Sequence, residues 1–363
     1  MKILWLAPNF NHYKARFLNH LAVQNDVDLT ILSGTGRDNM GDQELDENWG
    51  FELIKVNVSK KNFGKSIEVK QKLKLLLSNF DWVLIPAEKK NLSLFFYAIK
   101  LRKLNKSVRL FSYNHAKLKS KNGVYGFLDY KLSKFFNRYL NRVIYYTEEA
   151  SKFAVEQKLV SPQKAFWANN TIDNTEIEKY YNFQLPPEEL QTILFIGRLI
   201  PSKRIKDVIA YYKALKPNFK QLRLEIIGDG PEQNIVKDAI QKDTTIKWHG
   251  TLVDEAKIAP IMKRTSLVFI PGLSGLSINH AFAYGRPYIT LKAEKHGPEI
   301  SYLENDKNGY ILDDNIMENT KIITSLLQDR VKLIELCNSA KQKGEELSVQ
   351  KWVQQIKASL LNE

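Results

Sequence analysis

Apolar residues along the first 170 positions follow two alternating rhythms. KILWLAP, DLTILSG, WVLIPA, RLFSYN and RVIYYT are short, dense apolar runs rich in β-branched and aromatic residues, as strands buried on both faces require. Between them, YKARFLNHLAVQ and KSIEVKQKLKLLLSN repeat their apolar residues at spacings of three and four, which predicts helices with one buried stripe. Across 174–190, NTEIEKYYNFQLPPEEL loses both rhythms and carries a Pro-Pro pair, so a linker is expected there. The strand–helix alternation then resumes through TILFIGR, LRLEIIGDG, IKWHG, SLVFIPG and PYITLK. The tail QKWVQQIKASLL is amphipathic and is expected to pack back on the first domain. Two successive βα series predict an α/β chain of two doubly wound, parallel-sheet (Rossmann-like) domains. Their expected spans are 1–173 (with 349–363 returning to it) and 191–348. A ligand is expected in a cleft between them, at the carboxyl ends of the strands.

Composition adds bounds. The 363 residues give room for two buried cores, 44% of them are hydrophobic, and no repeat is visible. The longest apolar stretch, LSLFFYAI, is far short of a membrane span. MKILWLAPN reads as a buried strand rather than a signal peptide, because Pro8 and Asn9 end its apolar run. Cys337 is the only cysteine, which excludes an intrachain disulfide and a thiolate metal cluster. A reduced, cytoplasmic location is the expectation.

The net charge of +14 is concentrated. Residues 51–140 hold 20 Lys/Arg and 5 Asp/Glu, whereas the rest of the chain holds 34 basic and 35 acidic residues. Within the basic segment, Lys119, Lys121, Lys131, Lys134 and Arg138 are interleaved with Phe127, Tyr130, Phe135 and Phe136. Basic residues around exposed aromatics suit peripheral contact with anionic lipid at the inner face of a membrane. An ordinary helix with its aromatics in the core and its lysines in water fits the same pattern. No nucleic-acid motif accompanies the charge, so nucleic acid is not expected as a partner.

The stretch ILFIGRLIPSKRIKDVIAYYKAL carries the most chemistry. A buried strand ends at Gly197, Arg198 follows at once, and Lys203 precedes the next helix. Both cations then sit at the carboxyl edge of a parallel sheet, where Arg offers a planar fork and Lys a point charge to an anion. In this order follow Gly228, Gly230 and Pro231, then the turn Gly275–Leu276, then Ala281, Gly285 and Pro287. The combination over 190–312 resembles the donor domain of GT-B retaining glycosyltransferases, of the family 4-like group that uses nucleotide-sugars. The resemblance extends more weakly upstream, where Asn170, Ile172 and Asp173 match and Thr171 replaces a glycine.

The resemblance implies transfer of a sugar from a nucleoside diphosphate to a hydroxyl of a glycan or lipid-linked acceptor, with retention, in bacterial surface polysaccharide synthesis. Charge builds on the departing diphosphate, and fixed cations and amide dipoles stabilise it. Arg198, Lys203 and His115 are the implied catalytic residues. Gly197, Gly230, Ser274, Gly275, Leu276, His280 and Glu299 are the implied donor contacts, with the Ser274–Leu276 amides aiding the cations. No divalent metal or other cofactor is expected. The first βα turn lacks the paired glycines of many members; Asn9, Asn11, His12 and Lys14 offer side chains there, for donor or acceptor. Many members also place two glutamates eight positions apart around the glycine turn. Gly272 and His280 stand at those positions, so neither carboxylate is present. A neutral imidazole accepts at one nitrogen and donates at the other, so His280 suits a ribose hydroxyl, or the diphosphate when protonated, and a buried histidine satisfied by backbone is the alternative. Glu299 is the best remaining carboxylate. Two rivals stay open: a nucleotide-sugar epimerase on the same fold, and a non-catalytic relative that binds a nucleotide or partner.

Overall fold

The computed structural model describes residues 1–35, 48–114, 123–293 and 295–361. The chain divides into two compact units, Met1–Asn170 with Val349–Glu363, and Thr171–Ser348. The first unit is built on seven parallel strands: β1 (Lys2–Ala7), β2 (Asp28–Ser33), β3 (Glu52–Lys55), β4 (Trp82–Leu84), β5 (Arg109–Asn114), β6 (Arg142–Tyr145) and β7 (Ala165–Trp167). Their order is β3-β2-β1-β4-β5-β6-β7. The second unit has six: β8 (Gln191–Ile196), β9 (Leu222–Ile227), β10 (Ile246–Trp248), β11 (Leu267–Phe269), β12 (Tyr288–Leu291) and β13 (Gly309–Leu312), in the order β10-β9-β8-β11-β12-β13. Both are doubly wound, the strand order reversing beside the first strand of each unit. That reversal places the following loops of β1 and β4, and of β8 and β11, at the carboxyl edge where such sheets bind ligands.

Each sheet is buried on both faces, which explains the dense apolar runs. Alternate residues of β1 feed two cores: Ile3, Trp5 and Ala7 one, Leu4 and Leu6 the other. The C-terminal helix Val349–Leu361 belongs to the first of these cores through Val349, Trp352, Val353, Ile356 and Leu360. Trp352 packs edge-on to Phe17 at 4.8 Å between ring centroids and donates its indole N–H to the Tyr113 hydroxyl at 3.0 Å.

The segment 174–190 differs from a linker. It opens with a short helix, Asn174–Glu178, capped by Asp173, and its Ile177 and Tyr181 are buried in the core of the second unit. Tyr181 donates to the Tyr284 carbonyl at 3.1 Å. Buried Arg286 donates to the carbonyls of Met262 and Gln184, both at 2.9 Å, and so ties this segment to the end of the helix Glu255–Arg264. The pattern loses its rhythm because the segment is held by such single contacts rather than by a repeating stripe.

Candidate functional site

Three loops meet at the carboxyl edge of the second sheet. The first leaves β8 as Gly197–Arg198–Leu199 and closes in the turn Pro201–Lys203. The second is the turn after β11, residues 270–276, which leads into the helix Ser277–Ala283. The third follows β12 and enters the turn Pro298–Tyr302. Gly272 is required by the approach of the first two: a Cβ there would lie 2.2 Å from the Ser202 carbonyl oxygen. Leu273 N–H donates to that same carbonyl at 2.8 Å.

Arg198 is exposed at the end of β8, while Lys203 is largely buried beneath it. The Lys203 ammonium donates to the Leu273 carbonyl at 2.5 Å. Burial pulls its pKa from 10.5 down to about 8, helped by the like charge of Arg198 and opposed by the Glu299 carboxylate. Lys203 therefore carries its charge at neutral pH but holds it loosely, as a cation awaiting an anion does. Glu299 is buried at 2% exposure, and its Oε2 would lie 3.5 Å from a Cβ at Gly275. The structure thus brings Gly197, Arg198, Lys203, Gly275 and Glu299 together.

Ser274 takes a different role from the one expected. Its hydroxyl is buried among Thr290, Tyr288 and the Gly272 carbonyl, and its N–H donates to His296 Nδ1 at 3.1 Å. Ser274 builds the turn and offers neither group to a ligand. The N–H groups of Gly275, Leu276 and Ser277, at the start of the helix, make no hydrogen bond among the described residues and remain available as donors. Gly230 contributes close packing: a Cβ there would lie 2.5 Å from the Leu199 carbonyl oxygen. It lets the loop after β9 lie against the Arg198–Leu199 segment.

His280 is partly buried in the helix Ser277–Ala283, and its partner is a side chain rather than backbone. Its Nε2 lies 3.0 Å from Glu255 Oε1, and Tyr284 donates its hydroxyl to Glu255 Oε2 at 2.7 Å. Glu255 opens the neighbouring helix Glu255–Arg264, so a carboxylate does stand beside His280, supplied from another element. Two residues escaped the sequence reading. Nothing in the sequence joined Glu255 to His280, 25 positions further on. His296 lay in plain view before Gly297–Pro298–Glu299, but nothing in the sequence joined it to Ser274.

In the first unit, Asn11 caps the helix His12–Ala22 by accepting the Lys14 N–H at 3.2 Å. Lys14 Nζ donates to the Asn9 carbonyl at 2.8 Å. The His12 side chain and the whole of His115 lie outside the described residues. A cavity of about 650 Å³ opens at the ends of β1, β4, β5 and β6, lined by Lys14, Glu88, Lys89, Tyr113, Tyr146 and Phe136 among others. Among the described residues, no helix is long and apolar enough to cross a membrane.

Residues 176–347 match the family described as glycosyl transferases group 1. That match lies wholly within the second unit, Thr171–Ser348. No curated protein matches the sequence. Among solved structures, the chain is similar to the lipopolysaccharide outer core galactosyltransferase WaaB in its apo form, at 14% identity and TM-score 0.68 over 99% of each chain. It is similar to Anabaena Alr3699/HepE in complex with UDP, at 17% identity and TM-score 0.68, again over 99% of each chain. The sucrose-phosphate synthase tll1590 of Thermosynechococcus elongatus aligns at 13% identity and TM-score 0.69 over 98% of this chain and 97% of that one. At such identities the likeness carries the fold alone: two Rossmann-like domains of the GT-B type.

Proposed function

We propose that the protein is a retaining, metal-independent glycosyltransferase that moves a hexosyl group from a nucleoside-diphosphate sugar to a hydroxyl of a glycan or lipid-linked acceptor. The observation that carries this reading is the paired Arg198 and Lys203 at one strand end, with Lys203 partly buried and its charge loosely held. As the glycosidic bond to the donor breaks, negative charge collects on the diphosphate. Arg198 and Lys203 would hold that charge, with the N–H groups of Gly275, Leu276 and Ser277 aimed at the same phosphates. Glu299, buried against Gly275, would accept from a hydroxyl of the donor sugar. The cavity of the first unit is the proposed acceptor site.

UDP is the first nucleotide to test, since the similar HepE structure holds UDP. Arg198→Ala and Lys203→Ala are expected to lower donor turnover about 10²-fold or more, by analogy with removing one donor from a preorganised anion site. Unchanged turnover in both variants would end the assignment. Turnover is expected to survive EDTA, and its loss would end the metal-independent part alone. Titration with UDP, GDP and ADP separates an intact donor site from a degenerate one, and binding without turnover would favour the non-catalytic relative.

Peripheral membrane contact, at the cytoplasmic face in surface polysaccharide synthesis, belongs to the same proposal. Exposed Ile67, Leu75, Phe96, Leu104, Phe127 and Leu128 lie on the helices Ile67–Leu76, Leu92–Leu104 and Gly123–Tyr139. Lysines surround them, and Lys131 Nζ stands 5.2 Å from the Phe127 ring centroid. Phe136 points into the core instead, and Phe135 is half-buried against Phe95 and Phe96. Flotation with vesicles tests this: equal recovery on neutral and anionic lipid would refute it.

A further inference from the structure

One peptide unit separates Lys203 from a histidine. The Leu273–Ser274 peptide presents its carbonyl to Lys203 Nζ at 2.5 Å and its N–H to His296 Nδ1 at 3.1 Å. On the far side of the ring, His296 Nε2 lies 2.8 Å from the Leu291 carbonyl. A peptide N–H can only donate and a carbonyl can only accept, so His296 is neutral, with its proton on Nε2 and its lone pair on Nδ1. The result is an unbroken line of hydrogen bonds from the ammonium, through one peptide plane and one imidazole, to the end of β12.

We propose that His296 is a positioning residue for donor binding, acting through the Leu273–Ser274 peptide to fix the Lys203 ammonium against the donor diphosphate. The inference rests on the reading of Lys203 as a diphosphate contact and adds a residue that acts on it from outside the anion site. A peptide plane held at only one edge can rotate, and rotation here would turn the Leu273 carbonyl away from Lys203. Other contacts hold the flanks of the turn: Leu273 N–H on the Ser202 carbonyl, and Gly297 N–H on the Ser274 carbonyl at 2.7 Å. These flanking contacts pin the neighbouring peptides and leave the Ser274 N–H to His296 alone. Burial and the charge of Lys203 both hold the imidazole below its ordinary pKa, so the accepting lone pair persists near neutrality. The charged groups about this network are Lys203 and Arg198 on one side and Glu299 on the other.

The test compares a nucleoside diphosphate with its monophosphate, because only the diphosphate carries the β-phosphate that Lys203 would hold. Calorimetric titration gives the UDP/UMP affinity ratio for wild type, His296→Leu, His296→Asn, Lys203→Met and the double variant His296→Leu/Lys203→Met; GDP with GMP, or ADP with AMP, replaces the pair if UDP does not bind. His296→Leu is expected to lower the ratio about tenfold, with UMP affinity little changed. His296→Asn, whose Oδ1 replaces the accepting Nδ1, is expected to restore most of it. In the Lys203→Met background, His296→Leu is expected to change nothing further, since interacting residues are non-additive when one acts through the other. Equal losses for UDP and UMP, or fully additive effects in the double variant, overturn the inference while leaving the donor site standing. A Lys203→Met protein with an unchanged ratio overturns both the diphosphate reading and the inference built on it. Should His296→Leu fail to fold, His296→Asn and His296→Gln carry the same comparison, with the Asn variant expected to bind UDP the more tightly.

Discussion

Lys203→Met is expected to make the protein more stable and less able to bind its donor. Burial lowers the pKa of this ammonium from 10.5 to about 8, so the fold disfavours the charged form by about 3 kcal/mol. The unfolded chain keeps the proton up to 10.5 whereas the folded chain releases it near 8. Within that window the unfolded state binds more protons, and stability rises with pH. The cost is therefore present in full below pH 8 and gone above 10.5. Methionine keeps the packing of the stem and removes the charge. It forfeits the hydrogen bond to the Leu273 carbonyl, a loss of about 1 kcal/mol. The net expectation is a gain of about 2 kcal/mol at neutral pH, turning into a small loss by pH 10.5.

Urea denaturation followed by circular dichroism at several pH values measures the stability half. UDP titration measures the other half, where losing a charge-assisted hydrogen bond is expected to cost about 10- to 100-fold in affinity. In the wild type, UDP affinity is expected to fall as pH passes about 8, when the ammonium empties. Two results refute the account of a buried, loosely held charge. One is a variant no more stable than wild type at neutral pH. The other is a stability gain that persists unchanged to pH 10.5.

Arg286→Met is expected to destabilise the second unit by about 2–4 kcal/mol in the same urea assay, because it removes the charge-assisted hydrogen bonds from the buried guanidinium to the Met262 and Gln184 carbonyls. Trp352→Ala is expected to cost about 3–5 kcal/mol, read as a fall in the urea midpoint, since a fully buried indole leaves a cavity against Trp5 and Phe17. Acid should weaken the wild type. His296 is held below 6.5 in the fold, so the unfolded chain takes up the proton first and stability falls as pH drops through 6.5. His296→Asn is expected to flatten that slope, and an identical slope in the variant would assign it to other groups.

The sheets were legible wherever a strand is buried on both faces. β1, β2, β8 and β9 announce themselves because most of their positions are buried and filled with apolar residues. β3 and β7 stand at the edges of the first sheet, with half-exposed residues, and carry little signal for that reason. The segment 174–190 deceived because Tyr181 and Gln184 are held by the partners Tyr284 and Arg286, about a hundred residues away, and no local rhythm reports such a contact. The site followed the same rule. Arg198 and Lys203 were visible because one strand end and one loop set them together. The Ser274–His296 bond was not, because it closes between two loops that only the order of β11 and β12 makes neighbours.

His280 shows what a motif comparison does and does not report. Position 280 has lost the carboxylate that the family resemblance leads one to expect, and in sequence that reads as decay. In space, Glu255 brings a carboxylate to the imidazole from the start of the preceding helix, and Tyr284 donates to it from one turn beyond His280. A carboxylate that accepts from both His280 Nε2 and the Tyr284 hydroxyl orients the ring and holds a proton on Nε2. Decay would leave such a partly buried acid without paired donors, at a cost in stability with nothing gained. An acid satisfied by two donors on the helix that leaves the glycine turn is the arrangement expected where the orientation of an imidazole matters. Substituting Glu255 alone is therefore the sharper probe of this corner than substituting His280. Glu255→Gln keeps the shape, removes the charge and leaves one acceptor oxygen for two donors, so a loss of nucleotide affinity without a loss of stability would locate the function in the pair.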